Sequence, residues 1–96
     1  MSNELAHVAS AITNKLDRLD ENHRRVALDA FAELKRLDAE TSKLAMKIFG
    51  NREDTALWLA AKIPSLGGKR PWQCLAEGKR EDVHRILDSI RYGIIQ

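Results

Sequence analysis

Leu66-Gly67-Gly68-Lys69-Arg70-Pro71-Trp72 is the one stretch in which helical patterning gives way to a compact, chemically mixed loop. Two adjacent glycines free the backbone, two cations follow, then a proline and a tryptophan. Just upstream, Pro64 disfavours helical geometry at the residue before it and so ends a helix. Downstream, Pro71 suits the first position of a new helix, where its missing N–H is no loss. That helix is short, about 71–76, with Trp72 and Leu75 as its inward residues, and Gly78 breaks it. A last helix over about 79–91 has Val83, Ile86, Leu87 and Ile90 on one face and an acidic-to-basic pair, Glu81 to Arg85, on another.

Working back from the loop, residues 52–61 carry Ala56, Leu57, Trp58, Leu59, Ala60 and Ala61. Such a helix is apolar on most sides and belongs at the centre of the fold. Asn51 precedes it as an N-cap, with Asp54 three residues on, close to a capping box. Gly50 ends the helix before that, over about 39–49, whose apolar face is Leu44, Ala45, Ile48 and Phe49 and whose N-cap is Asp38. Leu5, Val8, Ile12, Leu16 and Leu19 fall at steps of three and four, and Val26, Ala27, Ala30, Phe31, Leu34 and Leu37 resume the pattern. Residues 4–37 therefore form two helices or one, and the favoured reading places a break near 20–23, around Asn22. Nothing alternates like a strand and nothing repeats. The expectation is an all-α fold, a small bundle of about five or six short helices. Residues 1–42 supply N-terminal helices and residues 43–96 a second helical unit, the two packed as one.

The chain has 96 residues, 44% of them hydrophobic but only 5% aromatic, so Leu, Ile, Val and Ala must carry the core. A net charge of +2 is too balanced to indicate nucleic acid. Cys74 is the only cysteine, which excludes an intrachain disulfide and a cysteine-based metal site. No charged-then-apolar leader is evident, and no apolar run approaches the roughly 18 residues of a membrane span. A soluble protein of the reducing cytoplasm is expected.

Candidate chemistry is sparse. Gly67 and Gly68 could cradle a phosphate beside Lys69 and Arg70, but the strand and glycine spacing of a P-loop are missing, so a turn is the better reading. The two cations then stand exposed for a partner. His7, His23 and His84 are scattered outside any metal motif, with His84 placed at the surface of the last helix. Cys74, beside Trp72, reads as a small buried thiol. Glu53-Asp54 and Glu81-Asp82 sit at helix starts, where negative charge complements the helix dipole. Trp72, at a loop-to-helix junction beside two cations, is a candidate contact for a partner. The tail Tyr92-Gly93-Ile94-Ile95-Gln96 is apolar where chain ends usually fray, so it either packs back or inserts into something else. No active site assembles, no cofactor is implied and no enzyme is expected.

Three runs carry a resemblance: Ile48-Phe49-Gly50-Asn51, Ala56-Leu57-Trp58-Leu59, and Ile63-Pro64-Ser65-Leu66-Gly67-Gly68-Lys69-Arg70-Pro71. A fourth, Val83 to Gly93, closes it with Tyr92-Gly93. From about Lys43 onward the chain resembles the toxin-binding domain of the Xre/MbcA/ParS antitoxin family. Its hallmarks are a helix-ending Phe-Gly, a Trp-Leu on the next helix, a Leu-Gly-Gly-Lys-x-Pro loop and a terminal aromatic-Gly. The resemblance implies a non-catalytic antitoxin that silences a RES-domain toxin, an enzyme that consumes or transfers parts of NAD. It implies occlusion: Lys69 and Arg70 would contact the toxin, and Arg91, Tyr92, Gly93, Ile94, Ile95 and Gln96 would lie near its NAD site. Gly67, Gly68 and Pro71 would shape the loop.

Two features depart from the family pattern. Arg70 stands where a small polar N-cap usually precedes the proline, which weakens the cap and releases the side chain for binding. Larger members carry an N-terminal helix-turn-helix, whereas here about 40 residues with no basic excess precede the shared region without a clear glycine turn. Those residues can instead pair two copies through the heptad-like face of residues 5–19, or pack on their own core. The functional expectation is an antitoxin. The rivals are a small DNA-binding regulator using residues 20–50 as a degenerate helix-turn-helix, and a helical dimerisation module.

Overall fold

The computed structural model describes residues 2–93. Five helices make the fold: α1 (Ser2–Leu37), α2 (Ala39–Phe49), α3 (Arg52–Ala60), α4 (Pro71–Ala76) and α5 (Arg80–Arg91). A single 3-10 turn, Pro64–Leu66, lies between α3 and α4, and the described residues contain no strand. The fold is all-α.

The expected break near 20–23 is absent, and α1 is one helix of 36 residues rather than a short one. No glycine or proline interrupts Ser2–Leu37, and Asn22 costs at most about 0.7 kcal/mol relative to alanine. Just after Asn22, Arg24 pairs with Glu21 at 3.5 Å and with Glu53 of α3 at 2.7 Å, which ties the helix to the body at this point. The Glu53 carboxylate raises the Arg24 pKa, chiefly through their hydrogen bond. At about 1.5 Å per residue, α1 accounts for the longest dimension of the molecule, 54 Å. Residues 3–23 are exposed throughout, so the face from Leu5 to Leu19 does not pack on the chain's own core.

The other helix ends follow their local chemistry. Asp38 caps α2 by accepting from the Thr41 amide at 3.2 Å. Gly50 closes α2 in the left-handed region at φ 81°, its amide donating to the Met46 carbonyl. Asn51 caps α3 by accepting from the Asp54 amide at 2.8 Å and donates its side-chain amide to the Asp54 carboxylate at 2.8 Å. Arg85 pairs with Asp82 at 3.0 Å, in place of the expected Glu81.

Two apolar clusters fill the body. Ala27, Phe31 and Leu34 of α1 meet Ala56 and Leu59 of α3 in one. Ala45 of α2, Leu66, Cys74 of α4, and Val83, Ile86 and Leu87 of α5 form the other, where Cys74 is the small buried thiol that the sequence suggests. Trp58 and Leu75 pack against both. Phe49 reinforces the junction, its ring centroid 5.4 Å from that of Trp58. Within α3 only Thr55, Ala56 and Leu59 are fully buried, and the Thr55 hydroxyl is satisfied by donating to the Asn51 carbonyl at 2.6 Å. Gly50→Ala should lower stability by about 1 kcal/mol, because a side chain is disfavoured at positive φ, although its Cβ would touch nothing. Gly50→Asn should cost less, and urea denaturation of both variants checks the ordering.

Candidate functional site

The 63–70 loop is folded on itself. Ile63 and Lys69 form an isolated antiparallel bridge, with the Ile63 amide donating to the Lys69 carbonyl at 3.0 Å. The Gly67 amide donates to the Pro64 carbonyl, the Gly68 amide to Ile63 and the Lys69 amide to Leu66. Both glycines are left-handed, at φ 70° and 79°, the conformation this turn needs. An anion cradle requires free amides, and these three are committed to the turn. Leu66, buried, pins the loop to the second apolar cluster.

The cations beside the glycines are not free side chains in solvent, as the sequence suggests. Lys69 is half-buried and pairs with Glu77 at 2.8 Å. Their hydrogen bond raises the lysine pKa and lowers that of the glutamate. Arg70, also half-buried, gives α4 no side-chain cap. Its guanidinium reaches back and donates to the Ala60 carbonyl at the end of α3. The departure from a small polar residue therefore exchanges a cap on α4 for a tie to the end of α3.

Trp72 is half-buried and borders two hollows. One, of about 530 Å³, is lined by Leu34, Leu37, Asp38, Leu75, Ala76, Gly78 and Arg80 as well. The other, of about 280 Å³, lies against His23, Val26, Ala30, Ala60 and Arg70. The Trp72 indole N–H is buried without an acceptor. Pro71 is buried at the start of α4. At the far end of α5, Arg91, Tyr92 and Gly93 are exposed, with the Arg91 guanidinium 5.4 Å from the Tyr92 ring centroid. The structure thus groups Lys69, Arg70 and Trp72, while no hydrogen bond or ion pair joins them to Arg91 or Tyr92. Ile94, Ile95 and Gln96 lie outside the described residues.

A polar cluster that the sequence did not single out sits beside the larger hollow. Asp38 accepts two hydrogen bonds from Arg80, at 2.7 and 3.1 Å, and Arg80 also reaches Glu40 at 3.2 Å. The Thr41 hydroxyl donates to Asp38 at 2.6 Å, and 2.6 Å on its other side lies His84 Nε2. A hydroxyl has one proton. With that proton on Asp38, Thr41 must accept from His84, which assigns the imidazole an Nε2–H. The arrangement is the reverse of a nucleophilic relay, in which histidine takes the hydroxyl proton. His84 is accordingly half-buried and bonded, not free at the surface. Asp38 was legible as a cap, but its pairing with Arg80, 42 residues away, leaves no local signature.

Among the described residues no three His, Cys, Asp or Glu side chains are grouped to hold a metal ion, and no helix is long and apolar enough to cross a membrane. Residues 44–93 match the family model described as the antitoxin Xre/MbcA/ParS C-terminal toxin-binding domain. No curated protein and no solved structure matches the chain. The matched segment begins inside α2 and ends just after α5, so it includes the loop, Trp72 and the exposed end of α5.

Arg80 holds the Asp38 carboxyl well below the usual carboxylate range; burial opposes this, and the Thr41 bonds add to it. A depressed folded pKa contributes stability that is complete above the unfolded value of about 3.9 and is lost as pH falls below it. Asp38→Asn keeps a capping side chain but removes this titration. Urea denaturation from about pH 7 down to about pH 3 should show the stability gap between the natural chain and this variant closing with acid.

Proposed function

This chain belongs to the Xre/MbcA/ParS antitoxin family, and we propose that it neutralises a RES-domain toxin by covering that toxin's NAD pocket. The observation that carries the reading is the match of residues 44–93 to the family's toxin-binding domain. Inhibition by occlusion requires a preformed surface and no reacting group. The internally bonded amides of the 63–70 loop support such a preformed surface.

The contact surface on this reading has two parts. Lys69, Arg70 and Trp72 form a shelf held by Glu77 and the Ala60 carbonyl, so little side-chain freedom remains to be lost on binding. Arg91, Tyr92, Gly93 and the tail 94–96 are the part that reaches the pocket. Tyr92 is 70% exposed, and its planar ring is the kind of group that a pocket for an adenine or nicotinamide ring accepts. No cofactor of the antitoxin's own is required.

A DNA-binding reading is less well supported. Within residues 20–50 the only interruption between helices is Asp38, where a helix-turn-helix needs a turn of three or four residues. DNA binding would also weaken steeply with salt, which a complex with large apolar contacts would not.

Co-expression with a RES-domain toxin encoded beside it should yield a complex that co-purifies, and cellular NAD should be preserved. Removal of residues 92–96 should abolish that protection while helicity is retained. Tyr92→Ala should weaken the complex by about 2 kcal/mol, roughly thirtyfold, measured by titration calorimetry. Full protection by the truncated chain would exclude the tail, and absence of any RES-like partner would exclude the toxin class.

A further inference from the structure

The N-terminal half of α1 has no role in the surface just described. Residues 3–23 are exposed on every side, a rod of about 32 Å at 1.5 Å per residue. Most helical stability in proteins comes from packing an amphipathic face, and this stretch packs on nothing within its own chain. Yet it carries large apolar side chains in register. Leu5, Ile12, Leu19 and Val26 stand seven residues apart, and are 72%, 51%, 63% and 67% exposed. Leu16 and Val8, 54% and 51% exposed, widen the same stripe, and Ala9 is small where a close neighbour would sit. A seven-residue apolar column is the pattern that packs against another helix with the same column.

We infer that this stripe pairs with the stripe of a second copy of the chain, as a parallel, in-register coiled coil. The seven-residue column occupies one set of seam positions, and Ala9, Leu16 and His23 the other. Lys15 then falls just outside the seam before Leu16, and Asp20 just outside it after Leu19. In a parallel pair, such positions five residues apart face each other across the seam. Lys15 of each copy meets Asp20 of the other, and neither forms an ion pair within its own chain among the described residues. An antiparallel pairing of the whole stripe, with Leu5 against Val26, would instead place the two Lys15 side chains together, which like charge disfavours.

The body leaves room for this partner. Where the stripe reaches it, His23, Val26 and Ala30 form one side of the 280 Å³ hollow, and Ala60, Arg70 and Trp72 the other. A hollow there, rather than packed side chains, lets the end of the seam at Val26 lie beside the body while Arg70 and Trp72 stay open to a toxin. The stripe precedes residues 44–93, so pairing leaves a toxin-binding segment on each copy, and the inference does not rest on the identity of the toxin.

Light scattering on the full chain over a concentration series tests the pairing. The expected mass is twice the 10.9 kDa of one chain, falling to one chain in Ile12→Lys and in Leu19→Lys. Both residues are exposed, so the near-ultraviolet signal of Trp58 and Trp72 should persist and show the body intact. Lys15→Asp should weaken the dimer, and adding Asp20→Lys should restore it. Orientation is read by disulfide trapping, which the buried Cys74 does not disturb. Leu5→Cys and Val26→Cys should each cross-link to themselves. A chain that stays monomeric throughout, or a dimer indifferent to Ile12→Lys, overturns the pairing. Cross-linking of Leu5→Cys only to Val26→Cys overturns its direction. A monomer that loses toxin capture on Ile12→Lys overturns it too, and gives the stripe to the toxin.

Discussion

The carboxylate of Asp38 is the point at which the helices of this chain are fastened to one another. It follows the last residue of α1, caps α2, and receives the guanidinium of Arg80 at the start of α5. Through Thr41 it also fixes His84, one turn further along α5. An isolated surface ion pair contributes about 0–1 kcal/mol. Asp38 differs in having its side chain only 22% exposed and its acceptor capacity filled from three directions. Its effect is geometric as much as energetic, since the same two oxygens hold the first turn of α2 and the first residue of α5. The apolar clusters then fill the space that this bracket defines.

Most helix ends could be read from sequence because the chemistry that ends a helix is local. Gly50 with Asn51, Asp38 before Ala39, Pro71 and Gly78 act within four residues of themselves, and each ends or starts a helix where its chemistry predicts. The interruption expected around Asn22 fails for the complementary reason. Asparagine disfavours a helix only weakly, and the opposing interaction, Arg24 to Glu53, joins residues far apart in sequence. Periodicity correctly identified Val83, Ile86 and Leu87 as buried. It misplaced His84, which adjoins that face and finds Thr41 across the interface with α2.

The candidate site was legible in composition but not in state. The loop residues stand together as their sequence implies, and the family match covers all of them. What the sequence could not disclose is that Lys69 and Arg70 are already engaged, one with Glu77 and the other with the end of α3. Charge in a glycine loop reads as availability; in the folded chain it is largely spent on holding the loop to its neighbours. The engagement of Arg70 also explains how α4 can begin without a side-chain cap, because Pro71 supplies the pre-set backbone and Arg70 secures the preceding helix.

Trp58 and Leu75 each belong to both apolar clusters. Neither cluster can loosen without uncovering a side chain that the other depends on. A small chain with two separate cores would be open to partial melting, one half at a time. Here the shared pair couples the two clusters, so the helices that carry the family's toxin-binding segment share one connected core. The projecting part of α1 lies outside that connected core, so whatever it packs against leaves the two clusters as they are.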